Sequence, residues 1–158
     1  MFRKIRRKNK EISTESTKLL LTNERRGVLA VNGDDGYPYA VPINFLYCEK
    51  ENKIYFHSAC CGHKADSLKK SDKICFTVYG NERVKEEAWA PFLQSAVVFG
   101  RCKPISDKTN KTEILRKFAL KYYPDLKTVD EEIAKSGNAA QIYEIEIETF
   151  SGKEIQEK

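Results

Sequence analysis

The sequence predicts an α+β domain, a mainly antiparallel six-stranded β-barrel with helices packed outside it. Three observations carry this. Strand-length runs of β-branched and aromatic residues recur along the chain, turn-forming residues separate them, and only a few stretches have helical spacing. A chain of 158 residues that is 41% hydrophobic closes one core and leaves no room for a second domain. Residues 1–12 read as a basic arm and 13–158 as the single folded domain.

Ser13 is placed to cap a short helix through Leu19, Leu20 and Leu21, and Gly27 opens a strand over Val28, Leu29, Ala30 and Val31. The turn Asn32-Gly33-Asp34-Asp35-Gly36 holds two residues that tolerate positive φ, and 37–47 returns as an antiparallel strand. Pro38 and Pro42 donate no ladder hydrogen bond, which makes that strand an edge, a bulge or a stretch whose backbone serves something other than a neighbour. Residues 53–58 form the next strand, and a helix starts after Gly62 with Ala65 and Leu68 one turn apart. Strands follow at 73–79 and 94–102, the second apolar enough to be buried on both faces. Between them, 80–93 reads as a structured excursion over a surface, with Trp89, Pro91 and Phe92 in it. An amphipathic helix at about 108–123 presents Ile114, Leu115, Phe118, Ala119 and Tyr122 on one face and stops at Pro124. Thr128 to Glu131 resembles a capping box for a short helix ending near Gly137, and Tyr143 to Glu148 alternates as a last strand with one wet face.

Charged residues make up 32% of the chain and the longest uncharged runs are only strand-sized, so neither a helical membrane span nor a secretory signal core is predicted, and the expected location is the cytoplasm. The formal charge is +5, from 28 Lys+Arg and 23 Asp+Glu. Six of the cations (Arg3, Lys4, Arg6, Arg7, Lys8, Lys10) lie in the first ten positions without an acid, leaving 22 against 23, or −1, for the remainder. A surplus confined to an arm argues against a nucleic-acid-binding body. The five cysteines, Cys48, Cys60, Cys61, Cys75 and Cys102, are odd in number, and adjacent Cys60 and Cys61 lie outside ordinary disulfide geometry. Structural zinc lacks a second half-site, and no metal is expected.

Chemistry concentrates in Ile54-Tyr55-Phe56-His57-Ser58-Ala59-Cys60-Cys61-Gly62-His63-Lys64. A strand delivers the Ser58 hydroxyl, small residues let backbone come close, and a helix then starts with a cation in its first turn. Free N–H groups, the helix dipole and Lys64 converge there on an anion. A first-turn cation opposes the dipole unless an anion is bound, although an ordinary exposed turn has the same local sequence. Neither the lysine-bearing phosphate loop nor the dinucleotide glycine fingerprint is present, so a mononucleotide-like phosphate suits the site better. His57 sits at a strand end, on the face opposite Ile54 and Phe56; a lone strand histidine is by default a surface residue. No Ser-His-Asp or Cys-His pairing follows from the spacing.

The strings Arg6-Arg7-Lys8, Arg26-Gly27-Val28-Leu29, Asp35-Gly36-Tyr37-Pro38-Tyr39-Ala40-Val41-Pro42-Ile43-Asn44, Ile54-Tyr55-Phe56-His57-Ser58, Gly62-His63-Lys64, Ser95-Ala96-Val97-Val98-Phe99-Gly100 and Ser151-Gly152-Lys153-Glu154 closely resemble the nitroimidazole-resistance proteins, which belong to the pyridoxamine-phosphate-oxidase-like flavoproteins. The likeness covers nearly the whole chain in family order. It implies a split β-barrel that binds FMN near a homodimer interface and reduces small nitroaromatic (5-nitroimidazole-like) or related substrates. Carried over by position, Ile43 and Asn44 lie along the flavin, Phe56, His57 and Ser58 border its ring and ribityl chain, His63 and Lys64 hold the phosphate, and Ser95 approaches from the next strand. The histidine matching His57 is the substrate-side, catalytic residue. The arginine-and-histidine pattern with which true pyridoxamine-phosphate oxidases hold their substrate is missing from the C-terminal part, which counts against pyridoxal-phosphate synthesis.

Two readings compete. One is a non-catalytic small barrel that binds nucleic acid through its basic arm, with affinity falling steeply as salt rises. The other makes Cys60 and Cys61 a redox or metal site beside a helix N-terminus, where a thiolate is favoured.

Overall fold

Residues 1–88, 90–123, 125–136 and 141–156 are described by a computed structural model, in which seven antiparallel strands form one curved sheet with four α-helices around it. The strands are β1 (Arg26–Asn32), β2 (Pro38–Asn44), β3 (Leu46–Cys48), β4 (Lys53–Ser58), β5 (Lys73–Lys85), β6 (Ala90–Pro104) and β7 (Gln141–Gln156). The helices are α1 (Thr14–Asn23), α2 (His63–Lys70), α3 (Lys108–Tyr122) and α4 (Leu126–Ser136). Sheet order is β2-β1-β5-β6-β7-β4-β3, so the two edge strands are the two that a single residue, Phe45, joins. The sheet curls until its ends meet through that residue without pairing: a split barrel.

Local chemistry explains the elements. Ser13 Oγ accepts the Ser16 amide at 3.0 Å and starts α1. Asp35 (φ 54°) and Gly36 (φ 79°) take the left-handed conformation the turn before β2 requires. β2 is an edge strand, as its two prolines demand.

The predicted single strand 37–47 breaks at Phe45, which is why seven strands stand where six were expected. The predicted excursion over 80–93 is instead a hairpin. β5 runs on to Lys85 and β6 begins at Ala90, with Arg83 opposite Phe92 and Val84 opposite Pro91 after an irregularity that holds Asn81 at φ 52°. Phe92 is buried, and Trp89 lies outside the described residues. The capping box expected at Thr128 is a cap by Asp125, whose carboxylate accepts the Thr128 amide at 3.1 Å and starts α4 a turn earlier. The stops predicted at Pro124 and Gly137 lie outside the described residues.

Two apolar clusters hold the fold. Inside the barrel, Phe45, Phe56, Phe76, Leu29, Val98 and Ile145 are fully buried, and Leu20 and Leu21 of α1 join them. Each such side chain contributes about 1.5–3 kcal/mol of transfer free energy. On the other face of β4 and β7, Tyr55 and Ile142 pack with Ile105 and Ile114 beneath α3. That second layer changes the face of β7 expected to be wet. Glu144 is only 6% exposed, its carboxylate held by Lys53 at 3.0 Å and Lys103 at 3.2 Å, the pairing a buried charge requires.

β6 is not buried on both faces. Ala96 and Val98 point into the core, whereas Phe99 on the other face remains 39% exposed. The ring of Phe2, from the basic arm, stacks on Phe99 at 5.6 Å. The arm is further tied by the Ile12 amide, which donates to the Gly152 carbonyl at 3.1 Å. Among the described residues no helix is long and apolar enough to cross a membrane.

Candidate functional site

β4 ends at Ser58, and the loop through Cys60 and Cys61 reaches Gly62, which caps α2 at φ 101°. That conformation suits glycine. The cap supplies no side-chain acceptor, and the first intrahelical amide to find a carbonyl is that of Asp66, which donates to Gly62 at 2.9 Å. The first-turn N–H groups are therefore open to an external anion.

Lys64 stands in that first turn, partly buried, and its Nζ lies 5.5 Å from the centre of the Phe56 ring. No carboxylate of the described residues pairs with it. Burial holds its pKa below the ordinary lysine value. A partly desolvated cation without a counter-ion would gain from an external anion.

His63, next in sequence, is directed elsewhere. Its ring stacks on Tyr39 at 4.0 Å and its Nε2 lies 3.5 Å from Asp34, which also accepts from Lys70 at 2.8 Å. Lys70 holds the Asp34 carboxyl below the usual range. Lys64 and His63, predicted together, thus face different neighbours.

His57 and Asn44 do come together, on the floor of a cleft of about 560 Å³. Neither side chain has a hydrogen-bond partner among the described residues. The His57 imidazole meets the Phe118 ring edge-on at 5.1 Å. Partial desolvation, and then the charge of nearby Lys64, push its pKa below the ordinary histidine value, which favours the neutral imidazole at pH 7 although the residue is exposed. A neutral imidazole presents one donor and one acceptor.

The cleft walls come from α3 and α4: Leu115, Phe118, Ala119 and Tyr122 on one side, Val129, Glu132 and Ile133 on the other. The residues of α3 were legible in the sequence as one helix face, but not the division of labour within it. Ile114 and Phe118 are buried, while Leu115 and Ala119 remain partly open beside the cleft. For α4 the sequence suggests a capping box and an end, but no face that would point Val129, Glu132 and Ile133 into a cleft.

Tyr122 fixes the floor. Its hydroxyl accepts the Phe45 amide at 2.8 Å and lies 2.6 Å from the Arg25 carbonyl and 2.7 Å from that of Phe45, to either of which it donates. This locks α3 to the break between β2 and β3, next to Asn44. Tyr122→Phe strands the amide of fully buried Phe45 and should lower stability by about 1–3 kcal/mol. In urea titration the midpoint should fall with the slope unchanged; an unmoved midpoint would mean the hydroxyl carries no such duty.

The other expected residues are placed apart from the cleft. Ile43 and Phe56 face the core, Phe56 stacked on Tyr143 at 5.1 Å. Ser58 pairs with Gln141 at the end of β4. Ser95 lies on β6 between Tyr79 and Lys153, in the same outward alternation as Val97 and Phe99. Cys60 and Cys61 are exposed, and no group of three potential metal ligands occurs among the described residues.

A family profile described as pyridoxamine 5'-phosphate oxidase matches residues 13–154. No curated protein sequence matches the chain. Among solved structures, a candidate 5-nitroimidazole antibiotic resistance protein from Bacteroides thetaiotaomicron is similar at TM-score 0.76 and 18% identity, over 91% of this chain and 85% of that one. An FAD-binding protein from Mesorhizobium loti gives 0.67 and 22%, over 91% and 96%. An FAD and heme binding protein from Mycobacterium smegmatis gives 0.70 and 19%, over 89% and 70%. At these identities the likeness establishes the shared fold.

Proposed function

Because the chain belongs to the pyridoxamine 5'-phosphate oxidase family, we propose that it is a flavin-dependent oxidoreductase that takes FMN and reduces a small planar substrate of nitroaromatic type. The observation that carries this reading is the convergence of an uncapped helix start with the unpaired, desolvated Lys64, within electrostatic reach of His57 at the cleft floor. These residues fit a flavin mononucleotide: open amides and a cation for one phosphate, with the apolar, aromatic-lined cleft beyond it left for a substrate ring.

In this mechanism the first-turn amides of α2 and Lys64 would hold the phosphate, whereas His63, turned to Tyr39 and Asp34, would stay outside that contact. Asn44 at the end of β2 and His57 and Ser58 at the end of β4 would orient the ring, while Ile43 and Phe56, buried in the core, back those strands. When bound, the flavin supplies the electrons as hydride equivalents. His57, neutral at pH 7, offers a hydrogen bond to the substrate, and the α3 and α4 walls keep water from the reacting face.

The second copy belongs to the same proposal. Its motive is the outward face of β5 and β6. Val97 and Thr77 are half-buried, and Phe99 and Tyr79 are 39% and 60% exposed. A homodimer packed on this face covers them and brings Ser95 to the interface.

The test is a visible absorption spectrum of freshly purified protein, followed by FMN titration and by mass measurement at micromolar concentration. Flavin absorbance and a dimeric mass are expected. A protein that carries no flavin and gains none on titration overturns the reading, and a monomer with FMN bound overturns the dimer.

A further inference from the structure

The geometry points to the cleft between α3 and α4 as a binding site for a cationic planar aromatic, an amine- or amidine-bearing ring whose charge is read by Glu132. This rests on the proposed function for its place in catalysis, though not for the binding itself. Three observations carry it.

First, Glu132 is the only carboxylate lining the cleft, and it has no ion-pair partner among the described residues. Its neighbours on α4 do: Asp130 is held by Arg116 at 2.9 Å, and Glu131 lies 4.0 Å from Lys127. The one acid turned toward the cleft is the one left unpaired.

Second, apart from Thr128, whose hydroxyl donates to Asp125, the remaining wall is apolar or aromatic. A ring slides between Phe118 on α3 and Val129 and Ile133 on α4. Tyr123, 65% exposed, offers the negative potential of an aromatic face to a cation, whereas Tyr122 stacks on Phe118 at 5.0 Å and already holds Arg25 at 5.1 Å from its centre.

Third, the floor supplies hydrogen bonds without charge. Asn44 and His57 have free polar atoms, and the imidazole is uncharged at neutral pH, so no lining cation opposes the ligand. Of the nearby cations, Arg25 rests on the Tyr122 ring, Lys121 on the Phe45 ring at 4.1 Å and Lys64 over Phe56, and none of them lines the cleft.

Benzamidinium and benzoate, planar and nearly equal in shape but opposite in charge, separate this site from a merely greasy groove. Ligand-observed NMR titration of the full-length protein at low ionic strength should find benzamidinium tighter by about 3- to 10-fold, the scale of one partly screened charge. Glu132→Gln should bring the two probes to near equality, and Ile133→Trp, which fills the cleft, should weaken both. A preference for benzoate, an unchanged preference in Glu132→Gln, or no binding of either probe overturns the inference. FMN titration of the same samples keeps the two proposals apart. Flavin uptake with no ring binding defeats this inference alone, whereas charge-selective ring binding in a protein that never takes up flavin defeats the flavin reading alone.

Discussion

Lys64→Ala should purify largely colourless, with FMN affinity reduced about ten- to a hundredfold. A charge-assisted contact to phosphate is worth ~1.5–3 kcal/mol, and each 1.4 kcal/mol is a factor of ten in affinity. The side chain now stands desolvated beside open amides, so its removal takes away the charge without disturbing an internal ion pair. Affinity should also decline with rising pH sooner than for an exposed lysine, because burial has already lowered the pKa of the cationic form that holds the phosphate. Fluorescence quenching of FMN measures both. Unchanged affinity in the variant would remove the phosphate from this helix.

His57→Ala should keep FMN and lose turnover by about a hundredfold or more, the range of a positioned proton donor or acceptor. An interaction needed mainly in the transition state lowers rate without lowering cofactor affinity. In the unsubstituted protein the rate should hold steady from pH 7 down to the ordinary histidine range and fall only below it, since burial and Lys64 both depress the imidazole pKa. Lys64→Ala should move that acid limb upward, because it deletes the second cause of the depression. Turnover at saturating FMN, measured across pH for both variants, decides this. A His57→Ala protein with undiminished turnover would make His57 a wall residue.

Much of the barrel was legible because its determinants are local. The Ser13 cap, the Asp35-Gly36 turn, the proline-marked edge and the alternation Ile74-Phe76-Val78 each fix an element within a few residues. The errors arose where partners distant in sequence decide. Residues 80–93 look like a loop because charge and aromatics are mixed in them, yet the two strands of that hairpin complete each other and the second also pairs with β7. Glu144 looks solvent-facing by alternation, and only Lys53 and Lys103, 91 and 41 positions away, make its burial possible. The site divides in the same way. The small-residue turn before Lys64 advertised an anion site, whereas His63 was separated from it by Tyr39 and Asp34, which its own neighbourhood does not reveal. The cleft over His57 depends on how α3 and α4 pack against one another, for which amphipathic spacing specifies a face and not a partner.

The open ends of the sheet bear on how the protein behaves in crowded solution. Strand edges are templates on which chains polymerise, because their unpaired amides accept a new strand. Here one end is β3, only three residues long. The other is β2, which keeps a seven-residue register with β1 although it contains Pro38 and Pro42. Two prolines four residues apart share one side of a strand, and the register survives because that side faces away from β1. Of the nitrogens on that side, those of Pro38 and Pro42 therefore carry no hydrogen, which leaves only Ala40 and Asn44 to recruit an incoming strand. The prolines that leave backbone free beside Asn44 also make this edge a poor seed for aggregation.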